Sequence, residues 1–145
     1  MARVVMALVL RAWFAQAGLS AVYVGTVVRM IDGDTAVVRI VTWPDPDQLQ
    51  TVEARVRLAG INTPELHHPQ CSAEAQQAVA AWHAAQALVP NGTQVQVLGV
   101  GQHDKYGRLL ATLVRADGLD VGAELVRLGH ARAYDGKAKA GWCAP

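Results

Sequence analysis

The chain has 145 residues, 52% of them hydrophobic and 17% charged, which fits one globular domain with its own core and leaves no room for a second. Thirteen Lys and Arg against twelve Asp and Glu leave a net charge of +1. This excludes a chain-wide basic field, so any affinity for a polyanion must be local.

The first twenty residues carry Arg3, an apolar run from Val4 to Leu10, and Ala15-Gln16-Ala17, the small-x-small form of a signal-peptidase site. An export signal is the expectation, with an exported mature domain over 21–145. Arg11 interrupts the run, and an extra N-terminal helix or a misplaced start codon, with a cytoplasmic protein, is the alternative. The run is shorter than the about 20 apolar residues that span a bilayer, so no stable membrane association is expected, and the protein is expected to be a monomer.

Val22 to Met30 reads as a strand, Ile31-Asp32-Gly33-Asp34-Thr35 as a tight turn, and Ala36 to Val41 as the partner strand of a hairpin. Trp43 to Gln50, with two prolines and two aspartates, reads as an exposed loop. Val52, Ala54, Val56 and Leu58 then alternate with Glu53, Arg55 and Arg57, a period of two that sends Arg57 away from the core. The strand leads into Asn62, Thr63, Pro64 and Glu65. Oxygen-bearing side chains on this segment and on Asp32 and Asp34 suit a hard cation such as calcium.

Ser72 is placed to cap a helix, with Glu74 in its first turn and Ala75, Val79, Trp82, Gln86 and Val89 recurring near the helical period. Pro90-Asn91-Gly92 ends it, and His67 and His68 before it read as solvated loop residues. Gln94 to Val100 and Leu109 to Arg115 are the fourth and fifth strands, joined by GQHDKYGR. Asp120 caps a short helix carrying Val121, Leu125 and Leu128, which Gly129 ends. The expected architecture is mainly β: a five-stranded Greek-key barrel of the OB type, with one helix after strand three and a short C-terminal helix.

The order IDGDT, RLAGINTPE, DKYGR and ELVRLGHA resembles the staphylococcal nuclease (thermonuclease) family from about Val22 to Tyr134. The resemblance implies a calcium-dependent phosphodiesterase acting on DNA, RNA or both. It assigns Asp34, Asn62 and Thr63 to the metal, Arg57 and Arg108 to the phosphate, and Glu65 to the attacking water. Tyr106 would lie near the bound nucleotide with Lys105 beside it, and Asp32 would stand behind the metal ligands. Asn62 stands where the family usually has a second calcium-ligating aspartate, which removes one negative charge and implies weaker metal binding.

The chemistry agrees with these roles. Two guanidinium forks and a cation neutralise charge growing on a phosphodiester, while an ionised carboxylate takes a proton from water. The competing reading is a non-catalytic OB module that binds nucleic acid or protein. Loss of the acids or arginines would mark it, and here one ligand alone differs. A purely structural barrel gives Arg57, Glu65 and Arg108 no reason to coincide.

The tail after Gly129 has no amphipathic period and little apolar area to hold it to the barrel. A bond between Cys71 and Cys143 would supply the restraint. It would close a loop of about 70 residues, for which chain entropy gives on the order of 4 kcal/mol. It would also fit the export signal, whereas two unpaired thiols would fit a reducing compartment.

Overall fold

The computed structural model describes residues 21–45, 47–100 and 103–144; the expected export signal over 1–20 lies outside the described residues. Strands β1 (Ala21–Met30), β2 (Thr35–Asp45) and β3 (Gln48–Leu58) form a meander. The two-residue strand β4 (Ile61–Asn62) and helix α1 (Ser72–Leu88) follow. Then come β5 (Gln94–Val100), β6 (Leu109–Arg115), helix α2 (Val121–Arg127) and the two-residue strand β7 (Arg132–Ala133).

Five strands close a barrel in the order β1-β2-β3-β6-β5, with β5 returning to β1. Every pairing in it is antiparallel except β3 with β6, where Val56, Arg57 and Leu58 lie beside Leu109, Leu110 and Ala111. This mixed barrel with two helices is the OB-type architecture that the strand pattern predicts. Closure covers the outer edge of β3 only over Val56–Leu58, where it runs beside β6. Val27, Val38, Val56, Leu58, Val97 and Leu113 fill its interior, and Val121 and Leu125 of α2 seal one side of the core. A fully buried Val or Leu contributes about 1.5–3 kcal/mol, so this cluster carries most of the driving force.

Three local expectations are corrected. Trp43 to Gln50 is not an open loop: β2 and β3 run on as a ribbon, with Thr42 opposite Gln50 and Asp45 opposite Gln48. The register slips by one residue between those pairs, and Pro44 sits in the irregular stretch, where its missing N–H costs no regular ladder bond. The N-cap of α1 is Cys71 rather than Ser72; its sulfur accepts from the Glu74 N–H at 3.3 Å. The buried stripe of α1 is Glu74, Ala78, Ala81 and Ala85, one residue away from the stripe drawn through Val79, which is exposed. Small alanines there let the helix approach the barrel closely, and Trp82 leans on the core while its indole N–H donates to the Met30 carbonyl at 3.1 Å. Asp120 caps α2 as expected, accepting from the Ala123 N–H at 3.0 Å.

Candidate active site

The IDGDT turn is held from both sides. Asp32 Oδ1 accepts from the Asp34 N–H at 3.0 Å, closing the turn on itself. Gly33 answers to a close approach: a Cβ there would lie 2.9 Å from Thr63 Oγ1 and 3.0 Å from the Ala81 Cβ of α1. The glycine lets the turn sink between the segment after β4 and the helix. This aims Asp34 at Thr63.

Asp34 is buried, and the three contacts on its two carboxylate oxygens leave it one acceptor position more. Oδ2 accepts from the Thr63 N–H at 3.0 Å and pairs with Arg57 Nη2 at 3.2 Å, while Oδ1 accepts from Thr35 Oγ1 at 3.2 Å. Thr35 Oγ1 in turn accepts from Arg108 Nη1 at 3.2 Å. The two arginines are therefore joined through Thr35 and Asp34 into one network, which converges from β2, β3, the segment after β4 and the start of β6. Arg57 does leave the outer face of β3, yet only 6% of it is exposed, because the turn and Thr63 cover it. Pointing away from the core, as the strand period predicts, does not bring it to the surface. Its Nη1 donates to the Leu58 carbonyl at 2.7 Å, which fixes the fork in place.

Arg108 is positioned by its own hairpin. Its Nε donates to Asp104 Oδ2 at 2.6 Å, and Asp104 Oδ1 accepts from the N–H groups of Tyr106 and Arg108, both at 2.9 Å. Partial burial pushes the Asp104 carboxyl up, but the hydrogen bonds from Arg108 and Tyr106 outweigh it and hold the group below the usual carboxylate range. Asp32 shifts the other way. Burial first, and the neighbouring Asp34 carboxylate second, push it up to about 6.

Of this network Arg57, Asp104 and Arg108 open onto a cavity of about 700 Å³, lined also by Lys105 and Tyr106 and, from the tail, by Tyr134, Lys137 and Lys139. Five cationic side chains and two carboxylates, Asp104 and Asp135, border it. That local excess of +3 stands out in a chain whose total is +1. The positive charge is thus local to this cleft rather than spread over the chain. Tyr106 is 71% exposed at its rim, with Lys105 Nζ 5.1 Å and Arg108 Cζ 5.4 Å from the centroid of its ring.

Asn62 and Glu65 border a smaller cavity of about 240 Å³, together with His68, Glu74 and the tail residues Lys139 to Trp142. Glu65 is exposed, and its Oε1 lies 3.3 Å from Lys139 Nζ. Its backbone N–H donates to Glu74 Oε2 at 3.3 Å, while Glu74 Oε1 accepts from the Gln70 N–H at 2.7 Å. Buried Glu74 thus fixes the loop that carries Glu65. Asn62 Oδ1 is buried and accepts no hydrogen bond. An acceptor left in that condition suits a cation or a water, since an unpaired buried polar atom is costly. Among the described residues, no three His, Cys, Asp or Glu side chains converge as a metal cluster, so a hard cation would depend on amide and carbonyl oxygens as well as on Asp34.

Of the residues singled out in the sequence, Asp34, Arg57, Thr63 and Arg108 fall in one network, with Asp32 behind it and Lys105 and Tyr106 on the cleft wall. Asn62 and Glu65 lie on the neighbouring cavity, and Lys139 lines both. The family model described as staphylococcal nuclease homologue matches residues 55–141. The chain belongs to this family. The match covers more than half of the sequence and starts beyond the IDGDT turn, which the fold returns to the matched region through Asp34 and Thr63. No curated protein matched the chain.

Several contributors escaped sequence reasoning. Thr35 is the bridge between the arginines, Asp104 is the anchor of Arg108, and Glu74 supports the Glu65 loop. Asp104 carried a signal, since it stands four residues before Arg108 in a Gly-containing hairpin. Thr35 carried none. Cys71 and Cys143 do form a disulfide, and it ties the tail to the start of α1.

Proposed function

We propose that the protein is a calcium-dependent nuclease that hydrolyses phosphodiester bonds of DNA, RNA or both. Membership of the staphylococcal nuclease family supports a nuclease-like protein. The observation that carries the finer reading is the Arg57–Asp34–Thr35–Arg108 network beside a cleft with an excess of positive charge. Two guanidinium groups already locked in orientation meet a phosphate without paying the entropy of ordering long side chains, and both match the paired oxygens of a phosphoryl group.

In the proposed reaction Arg57 and Arg108 bind the scissile phosphate and stabilise the charge that grows on it. Glu65 receives a proton from the attacking water, whose oxygen forms the new bond to phosphorus as the bond to the leaving oxygen breaks. Asp34 holds Arg57 and Thr63 in register, and Asp104 holds Arg108. Nucleases of the family typically use calcium. Asp34, the Asn62 amide oxygen and the Thr63 carbonyl are the groups that would hold it, and when bound it supplies positive charge at the phosphate. Tyr106 offers a stacking face to a base and Lys105 a contact to the strand.

We assign residues 21–145 to the working domain and 1–20 to an export signal, with the protein functioning outside the cytoplasm. The disulfide supports that assignment, since such bonds persist in oxidising compartments. Plasmid and RNA incubated with the purified domain, in calcium or in a calcium chelator, test the function. Calcium-dependent loss of either substrate is expected. Binding without cleavage would replace the enzyme with a nucleic-acid-binding module.

A further inference from the structure

The tail gives the cleft a wall that the three site motifs do not account for. It has no helix between Tyr134 and Ala144, yet it is fixed at several points. β7 pairs with β4, and the Tyr134 N–H donates to the Gly60 carbonyl at 2.8 Å. Arg132 lies 3.8 Å over the Trp142 ring and donates to the Gly141 carbonyl at 2.8 Å. The Cys71–Cys143 bond closes the far end on the N-terminus of α1. Between these anchors the chain bulges over the cleft, with Tyr134 Oη donating to the Lys137 carbonyl at 3.1 Å and the Lys137 N–H donating to Asp135 Oδ1 at 2.9 Å.

Charge pairing separates the cations of the cleft into two sets. Arg57 is committed to Asp34 and Arg108 to Asp104. Among the described residues Lys105 and Lys137 have no carboxylate partner, Lys105 lying over the Tyr106 ring, and Lys139 lies over the Tyr134 ring and pairs with Glu65 alone among carboxylates, through a pair about half exposed on both sides. An exposed pair of that kind contributes about 0–1 kcal/mol and is readily exchanged for a phosphate. The ammonium groups without a buried partner therefore reach the cleft from two segments: Lys105 from the β5–β6 hairpin, Lys137 and Lys139 from the tail.

We infer that the tail is a substrate-binding arm, in which Lys137 and Lys139 grip backbone phosphates of a nucleic-acid strand flanking the scissile one, and that the Cys71–Cys143 bond holds the arm over the cleft. The inference rests on the proposed nucleic-acid substrate and adds a binding wall that depends on an oxidised cysteine pair. Lys139 takes part in binding by exchanging Glu65 for phosphate, which also frees the carboxylate for its role with water.

The test is the salt dependence of binding to a fluorescent single-stranded oligothymidylate, read by anisotropy in a chelator so that cleavage does not interfere. For single strands the slope of log affinity against log salt falls by about 0.7 for each phosphate that the protein no longer neutralises. Lys137→Ala and Lys139→Ala are each expected to weaken binding several-fold and to lower the slope by about 0.7, with an unchanged melting temperature because both side chains are exposed. Cys71→Ser/Cys143→Ser is expected to reproduce the combined loss, and adding Lys139→Ala to that variant to change nothing further.

Lysine variants that bind with wild-type affinity and slope overturn the arm; if the same preparation cleaves plasmid in calcium, the nuclease reading stands without it. A lysine effect that persists undiminished in the cysteine variant overturns the role of the bond. Lysine-dependent binding by a protein that never cleaves supports the arm and removes the nuclease. No binding and no cleavage remove both.

Discussion

The two walls of the cleft are built in opposite ways. The wall made by the end of β3 is buried, with Arg57 and the Asp34 that pairs with it each 6% exposed and both carboxylate oxygens of Asp34 engaged. The wall made by the tail is mostly exposed, has no helix, and is kept in place by a disulfide, a two-residue strand pair and the Arg132–Trp142 contact. The first arrangement fixes geometry but tolerates the removal of no partner. The second fixes only a path for the chain, and leaves the lysines free to follow a ligand. Precision is concentrated where a phosphate would react, and adaptability where its neighbours would be held.

The sharpest way to break the comparison is to remove one member of the buried pair. Arg57→Ala leaves the Asp34 carboxylate buried without its cation, and about 3–5 kcal/mol of stability should be lost in urea unfolding. Adding Asp34→Asn should restore part of that loss. Lys139→Ala, the matching deletion in the tail, should change stability by less than about 1 kcal/mol.

The next effect belongs to the tail. Cys71→Ser/Cys143→Ser opens a loop with a sequence separation of 72, and about 2–4 kcal/mol should disappear from the unfolding free energy. Protease cleavage should then begin after Gly129 and leave the barrel intact. Initial cleavage inside β2 or β3 would contradict the division into two walls.

Gly33→Ala probes how closely the turn sits on its support. The added methyl must displace Thr63 Oγ1 and the Ala81 Cβ, and stability should fall by about 1–3 kcal/mol. Asn62→Asp should lower the calcium concentration needed for half-maximal activity, since a carboxylate replaces an amide with an unmet oxygen.

The smallest effect lies outside both walls. Hydrogen bonding to Arg115 holds the Asp117 carboxyl at about 2. The folded state therefore binds its proton more weakly than the unfolded chain, whose aspartate titrates near 3.8. The contribution is present above pH 3.8 and is lost as pH falls toward 2. Asp117→Asn should flatten stability over that window by a small amount, as an exposed pair allows.

The barrel was legible because its signals are local. Alternating valines gave β1, β3 and β5, and Asp120 with Gly129 bracketed α2. The site was legible as residue types, but its depth was not. A period of two shows which face Arg57 leaves from, while the group that covers that face comes from the turn before β2, more than twenty residues away in sequence. Thr35 gave no warning because its role exists only when Arg108, 73 residues later in the chain, comes beside it. The ribbon of β2 and β3 was hidden by a proline-rich sequence that reads as loop, although Pro44 sits at a bulge. The tail had no period to read, and only its cysteine suggested that it was tied down.

Glu65 and Arg108 are assigned to the reaction rather than to the fold, and single-turnover cleavage of an oligonucleotide in saturating calcium measures that directly. Glu65→Gln and Arg108→Ala should each lower the cleavage rate by about 10²–10³-fold, with melting temperatures within a few degrees of the parent. Folded variants that cleave at the parent rate would contradict the assignment of this cleft as a nuclease site.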